Sequence, residues 1–139
     1  MVEIIAGEKG KGKTKYLLDK VNAAVKEAEG NIVYLDKSQK NMHELSNKVR
    51  LINVTDYPIT NGDEFVGFIC GIISQDYYLQ EMYLDSFITI ANISDDEIER
   101  IVDKLDAISA KYNVKFVLSV SRNEAALTDS VKSKLIVSL

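Results

Sequence analysis

Gly7-Glu8-Lys9-Gly10-Lys11-Gly12-Lys13-Thr14 decides how this 139-residue chain is read. The stretch has the form G-x-x-x-x-G-K-[ST], a phosphate-binding loop. At average amino-acid usage its four fixed positions match by chance in roughly one chain of this length in a few hundred. The flanks supply the rest of the motif. Val2-Glu3-Ile4-Ile5-Ala6 is a β-branched run suited to a buried strand, and Thr14 opens a segment with helical spacing. Strand, loop and helix therefore arrive in the order the motif requires.

Gly7, Gly10 and Gly12 admit backbone angles closed to residues with a Cβ, and they let main chain approach a ligand. Successive N–H groups then converge at a helix N-terminus, where partial positive charge favours an anion. Lys9, Lys11, Lys13 and Lys15 crowd the loop against the single acid Glu8, which fits a polyphosphate. Lys13 is expected to reach the β- and γ-phosphates, and the Thr14 hydroxyl to ligate Mg²⁺.

The length suits one domain with a real core, so residues 1–139 are read as a single minimal nucleotide-binding unit. A net charge of −4 argues against a general nucleic-acid surface. No apolar run reaches the length of a membrane span and no basic-then-apolar leader opens the chain, so the cytoplasm is the expected location. Cys70 is alone, which excludes an internal disulfide, and its apolar surroundings predict a small buried side chain. His43 is the one histidine and is expected on an exposed helix face; histidine triads and paired-histidine metal sites are excluded.

Past the loop, Leu17, Leu18, Val21, Ala24, Val25 and Ala28 mark an amphipathic helix ending near Gly30. Ile32–Leu35 reads as a strand stopping at Asp36, followed by a short polar helix around Met42–Lys48 and a short strand over Arg50–Val54, at the sheet edge. Phe65, Phe68, Ile69, Ile72 and Ile73 form the apolar stripe of a helix running to about Leu79. Met82-Tyr83-Leu84 is a strand closed by Asp85, and Ser94 with Glu97 forms a capping box. Val114–Val120 and Leu135–Ser138 are the last strands, with a short helix near Glu124–Val131 between them. This alternation predicts an α/β, three-layer fold: an open, mainly parallel sheet with helices on both faces. Ligands of such sheets bind at the C-terminal strand ends, where Gly7–Thr14, Asp36, Asp85 and Ser121 would gather.

Asp85 follows an apolar strand and fits the role of holding Mg²⁺, directly or through water. A glutamate often stands beside such an aspartate to orient the attacking water, but here the neighbour is Ser86. Asp36 is the catalytic candidate in its place, if its strand lies next to that of Asp85. Ser119 or Ser121 could sense the γ-phosphate, and Arg122 reads as an exposed loop cation or a phosphate contact. Tyr77, Tyr78 and Tyr83 cluster in sequence and are expected to pack in the core, with base stacking as the alternative. The acidic run Asp95, Asp96, Glu97, Glu99, Asp103 and Asp106 reads as a solvated helix face.

Other phosphate-loop classes fit poorly. Asn53-Val54-Thr55-Asp56 lacks the lysine of a guanine reader, and Glu8 stands where the MinD/ParA type carries a second lysine. Arg50, Arg100 and Arg122 are too scattered for a kinase lid. Adenine is the base left by elimination.

With these residues the chain resembles P-loop NTPases of the RecA/AAA-like division. It is also similar to short clostridial ATP-binding proteins that share G-E-K-G-K-G-K-T-K, Y-L-D-K and M-Y-L-D-S-F, here Gly7–Lys15, Tyr34–Lys37 and Met82–Phe87. Such proteins are often labelled twitching-motility (PilT) proteins. That label implies a longer hexameric pilus-retraction ATPase with acidic and histidine-rich boxes, which this sequence does not carry. The resemblance implies nucleotide binding and this fold, and many relatives complete their sites at subunit interfaces, which points to a homo-oligomer or an unidentified protein partner. The phosphate loop and Asp85 together predict ATP and Mg²⁺ as cofactors and a slow Mg²⁺-dependent ATPase. A nucleotide-dependent scaffold with little hydrolysis, or a small kinase, are the alternatives.

Overall fold

Short β-branched runs separated by amphipathic helices can bury both faces of a sheet only if each crossover lays its helix across the strands. The computed structural model, which describes residues 1–139, has that arrangement. In chain order the elements are β1 (Val2–Ala6), α1 (Lys13–Ala24), β2 (Asn31–Asp36), β3 (Val49–Asn53), α2 (Gly62–Gln75), β4 (Leu79–Leu84), α3 (Phe87–Ala91), α4 (Ile98–Tyr112), β5 (Lys115–Val120), α5 (Asp129–Lys132) and β6 (Leu135–Ser138). The sheet order is β3-β2-β4-β5-β1-β6, and every pairing is parallel. β3 is an edge strand, and β2 lies directly beside β4.

Strand alternation sorts the side chains into two layers. Ile4, Val33, Leu35, Met82, Leu84, Phe116, Leu118 and Val120 pack against α2, α3, α4 and α5. Ile5, Ile32, Tyr34, Tyr83 and Val117 face α1, whose Leu17, Leu18 and Val21 close that side. Tyr34 pairs with Tyr83 in register, and Leu84 with Leu118. Counting in twos from these positions puts Asp36, Asp85 and Ser119 on the α1 side, at the ends of three adjacent strands.

Several expected boundaries move. α1 stops at Ala24, and Gly30 instead passes tightly by β4: a Cβ there would lie 2.3 Å from the Tyr78 carbonyl oxygen. The polar helix around Met42–Lys48 shrinks to one 3-10 turn, Met42–Glu44, because Asn22 of α1 binds the Glu44 carbonyl and the Ser46 N–H and holds the loop open. α2 ends at Gln75 rather than Leu79, since both carboxylate oxygens of Asp76 accept from Asn31 and the chain turns there. The stretch near Glu124–Val131 splits into a 3-10 turn and α5. Tyr83 is fully buried, but Tyr77 and Tyr78 are 94% and 72% exposed, so only the first joins the core. Cys70 is half-buried. His43 is exposed, on the 3-10 turn, and the Ser94–Glu97 capping box forms. No helix is long and apolar enough to cross a membrane.

Candidate functional site

The loop between β1 and α1 needs two left-handed residues, and glycine stands at both: Gly10 has φ +86° and Gly12 φ +92°. Gly7 serves differently. Its backbone is not left-handed; a Cβ there would sit 3.1 Å from Leu139, so the missing side chain lets the loop turn tightly beside β6. Gly12 caps α1 without a side chain. The backbone N–H groups of Glu8 through Lys15 find no acceptor within the protein, which leaves a row of donors at a helix N-terminus.

Lys13 is buried, and its ammonium donates to the carbonyl oxygen of Glu8 at 3.0 Å. Burial lowers its pKa, opposed by the negative charge of Asp85. Thr14 is half-buried and its hydroxyl has no partner. Opposite the loop, Asp85 is 2% exposed; its Oδ1 accepts from the Ser119 hydroxyl at 2.7 Å and its Oδ2 from the Tyr34 hydroxyl at 2.8 Å. Burial and the Asp85 charge push the ionisation of Tyr34 far up, so the phenol stays a donor. Asp36 is equally buried; it accepts from the Lys37 N–H at 2.7 Å and the Asn41 amide at 3.1 Å. Desolvation first, and then the charge of Asp85, raise its pKa above the ordinary carboxylate range, against these hydrogen bonds.

These groups share a hollow of about 490 Å³ lined by fourteen residues, none of them hydrophobic. Lys9, Gly10, Gly12, Lys13, Thr14, Asp36, Asp85 and Ser121 line it; Gly7, Glu8, Lys11 and Lys15 do not. Lys15 instead pairs with Asp19 on the exposed face of α1. A larger hollow of about 700 Å³ lies between edge strand β3 and α2, away from the loop, and shares no residue with it.

Ser119 and Arg122 are engaged elsewhere. The one proton of the Ser119 hydroxyl goes to Asp85, while its oxygen accepts the Ser86 N–H at 2.8 Å, so it has no donor for a phosphate. Arg122 is drawn to Asp95, with Nη2 and Oδ1 2.8 Å apart. Lys37, Lys40 and Asn41 also line the hollow, and sequence reasoning passed over them. Their signal was position: they follow the strand-ending Asp36, where a parallel sheet gathers its ligand-facing loops.

The acidic stretch from Asp95 to Asp106 forms no metal-holding cluster. Its members pair outward, Asp95 with Arg122, Glu97 with Arg100, and Glu99 with the Thr128 hydroxyl.

No family model matches the chain, and neither does any curated protein sequence. Among solved structures it is similar to a KaiC-like protein from the hyperthermophilic archaeon Pyrococcus horikoshii OT3. The TM-score is 0.62 at 14% identity, over 98% of this chain and 69% of that chain. At that identity the likeness bears on fold alone, and it supports the α/β architecture built on one all-parallel sheet. It does not extend to the twitching-motility label.

Proposed function

We propose that this chain is a nucleotide-binding domain that takes ATP with Mg²⁺ and hydrolyses it slowly. The observation that carries the reading is one polar hollow in which Lys13, Thr14 and a row of unpaired N–H groups face the buried carboxylates Asp85 and Asp36. The donor set fits the ligand. Unpaired amides and an under-coordinated ammonium suit phosphate oxygens, and a free hydroxyl beside a carboxylate suits a hard, oxygen-seeking cation.

In this reading Gly10 and Gly12 shape the cradle, the loop amides and Lys13 bind the β- and γ-phosphates, and Lys9 and Ser121 contact the outer oxygens. Thr14 and Asp85 hold Mg²⁺, which when bound neutralises charge on the phosphates. Asp36 orients a water and accepts its proton as the water oxygen bonds to the γ-phosphorus and the bridging P–O bond breaks, giving ADP and phosphate. Burial raises the pKa of Asp36, which favours its taking a proton.

Titration calorimetry against ATP, ADP and GTP, with and without Mg²⁺, tests the reading. Micromolar ATP binding that tightens with Mg²⁺ is expected, and no binding at millimolar nucleotide overturns it. Ser86, standing where many ATPases carry a glutamate, favours a second reading, a nucleotide-dependent scaffold that barely turns ATP over. Phosphate release by the chain alone, abolished in Asp36→Asn, decides for the enzyme.

A further inference from the structure

A carboxylate that holds a metal must itself be held, and Asp85 is gripped from both sides. β2 and β5 flank β4 in the sheet. From β2 the Tyr34 hydroxyl donates to Oδ2 at 2.8 Å, and from β5 the Ser119 hydroxyl donates to Oδ1 at 2.7 Å. Neither donor is free to leave. Tyr34 is fully buried, with its ring stacked on Tyr83 at 6.3 Å and 8°. Ser119 also accepts the N–H of Ser86, whose left-handed backbone (φ 57°) forms the turn directly after Asp85. Each carboxylate oxygen keeps a second lone pair. Those lone pairs are left aimed by the two hydroxyls.

We propose that Tyr34 and Ser119 are positioning residues that lock the Asp85 carboxylate in the orientation its metal requires, so that they set the Mg²⁺ affinity of the nucleotide complex. The inference rests on the reading of Asp85 as the metal-holding carboxylate. Partners behind a metal ligand are typically worth 10- to 100-fold in metal affinity. Tyr34→Phe keeps the ring and its packing and deletes one hydroxyl.

The test measures ADP affinity of the whole chain by calorimetry across a Mg²⁺ series and in EDTA, for wild type, Tyr34→Phe, Ser119→Ala, Asp85→Asn and Tyr83→Phe. The Tyr83 hydroxyl binds Glu81 and serves as a buried-tyrosine control. Tyr34→Phe and Ser119→Ala are each expected to raise the Mg²⁺ midpoint tenfold or more. Affinity in EDTA should stay within twofold, and Tyr83→Phe should change neither. A Mg²⁺ midpoint within twofold of wild type in Tyr34→Phe, while Asp85→Asn shifts it, overturns the inference and leaves the proposed function standing. If Tyr34→Phe does not fold, Ser119→Ala decides in the same way. No shift in Asp85→Asn, with ADP still bound, removes the metal role of Asp85 and this inference with it. No ADP binding by wild type overturns the proposed function itself.

Discussion

Lys13 turns its ammonium back onto the carbonyl oxygen of Glu8 in the same loop, at 3.0 Å. An ammonium carries three donors, and in a buried position one carbonyl leaves it under-satisfied. The folded protein therefore holds a charge at a cost, against the day a phosphate takes the place of that carbonyl. Lys13→Met removes the charge and keeps the stem. ATP affinity should fall at least 100-fold, about 2.7 kcal/mol, while the thermal midpoint does not fall. Calorimetry and a melting curve check both; affinity within tenfold of wild type would remove Lys13 from the site.

Asp36 and Asp85 end neighbouring strands, and burial together with the charge of Asp85 pushes the Asp36 carboxyl above its ordinary value. Its folded pKa lies above the unfolded value near 3.9. The stability it contributes is greatest below that value and is lost as pH rises through the raised one. Asp36→Asn should therefore melt higher than wild type at neutral pH, with the gain vanishing in acid. Phosphate release should fall by roughly 10²- to 10⁴-fold and nucleotide affinity should hold. If wild type loses no stability relative to the variant as pH rises from acid to neutral, the sign of the shift is contradicted.

The cations at the rim give a paired prediction. Arg122 is tied to Asp95, whereas Lys40 lines the hollow and its charge reaches Asp36. Arg122→Ala should leave ATP affinity within twofold. Lys40→Ala should weaken it severalfold at low salt, with the difference shrinking as salt screens the charge. The reverse ranking, read from the same titrations, would reassign the cation that faces phosphate.

Gly30 tests the sheet away from the site. An alanine Cβ would meet the Tyr78 carbonyl oxygen at 2.3 Å, a backbone atom that cannot swing aside. Gly30→Ala should lower stability by about 1–3 kcal/mol, measured as a lower urea midpoint at unchanged slope. An unchanged midpoint would mean that β2 and β4 shift apart freely.

The central elements were legible because their signals are local. The β-branched runs, the phosphate loop and the 3.6-residue stripes of α1 and α2 each carry their own pattern. Asp36 and Asp85 could be read as strand-ending acids, and strand parity would have added Tyr34 to them. What escaped depended on distant partners. The helix around Met42–Lys48 is undone by Asn22 of α1, and the end of α2 is fixed by Asn31 of β2. Ser119 has the right strand for a phosphate sensor, yet its hydroxyl is engaged by a carboxylate one strand away. Lys37, Lys40 and Asn41 lie in a loop without periodicity, where only the folded chain brings them to the hollow.

The two-residue alternation that brings Asp36, Asp85 and Ser119 to one side has a consequence for how this gene can vary. Deleting one codon within β4 upstream of Asp85 would turn the carboxylate toward Phe65, Phe87 and the α2 layer. The same deletion would put Ser86 in the place of Asp85 and leave the hollow without that carboxylate. Insertions and deletions should thus be tolerated in the stretch between Asn53 and α2 and excluded from the ends of β2, β4 and β5. In-frame length variation across a mutant library would map the site as clearly as any substitution scan.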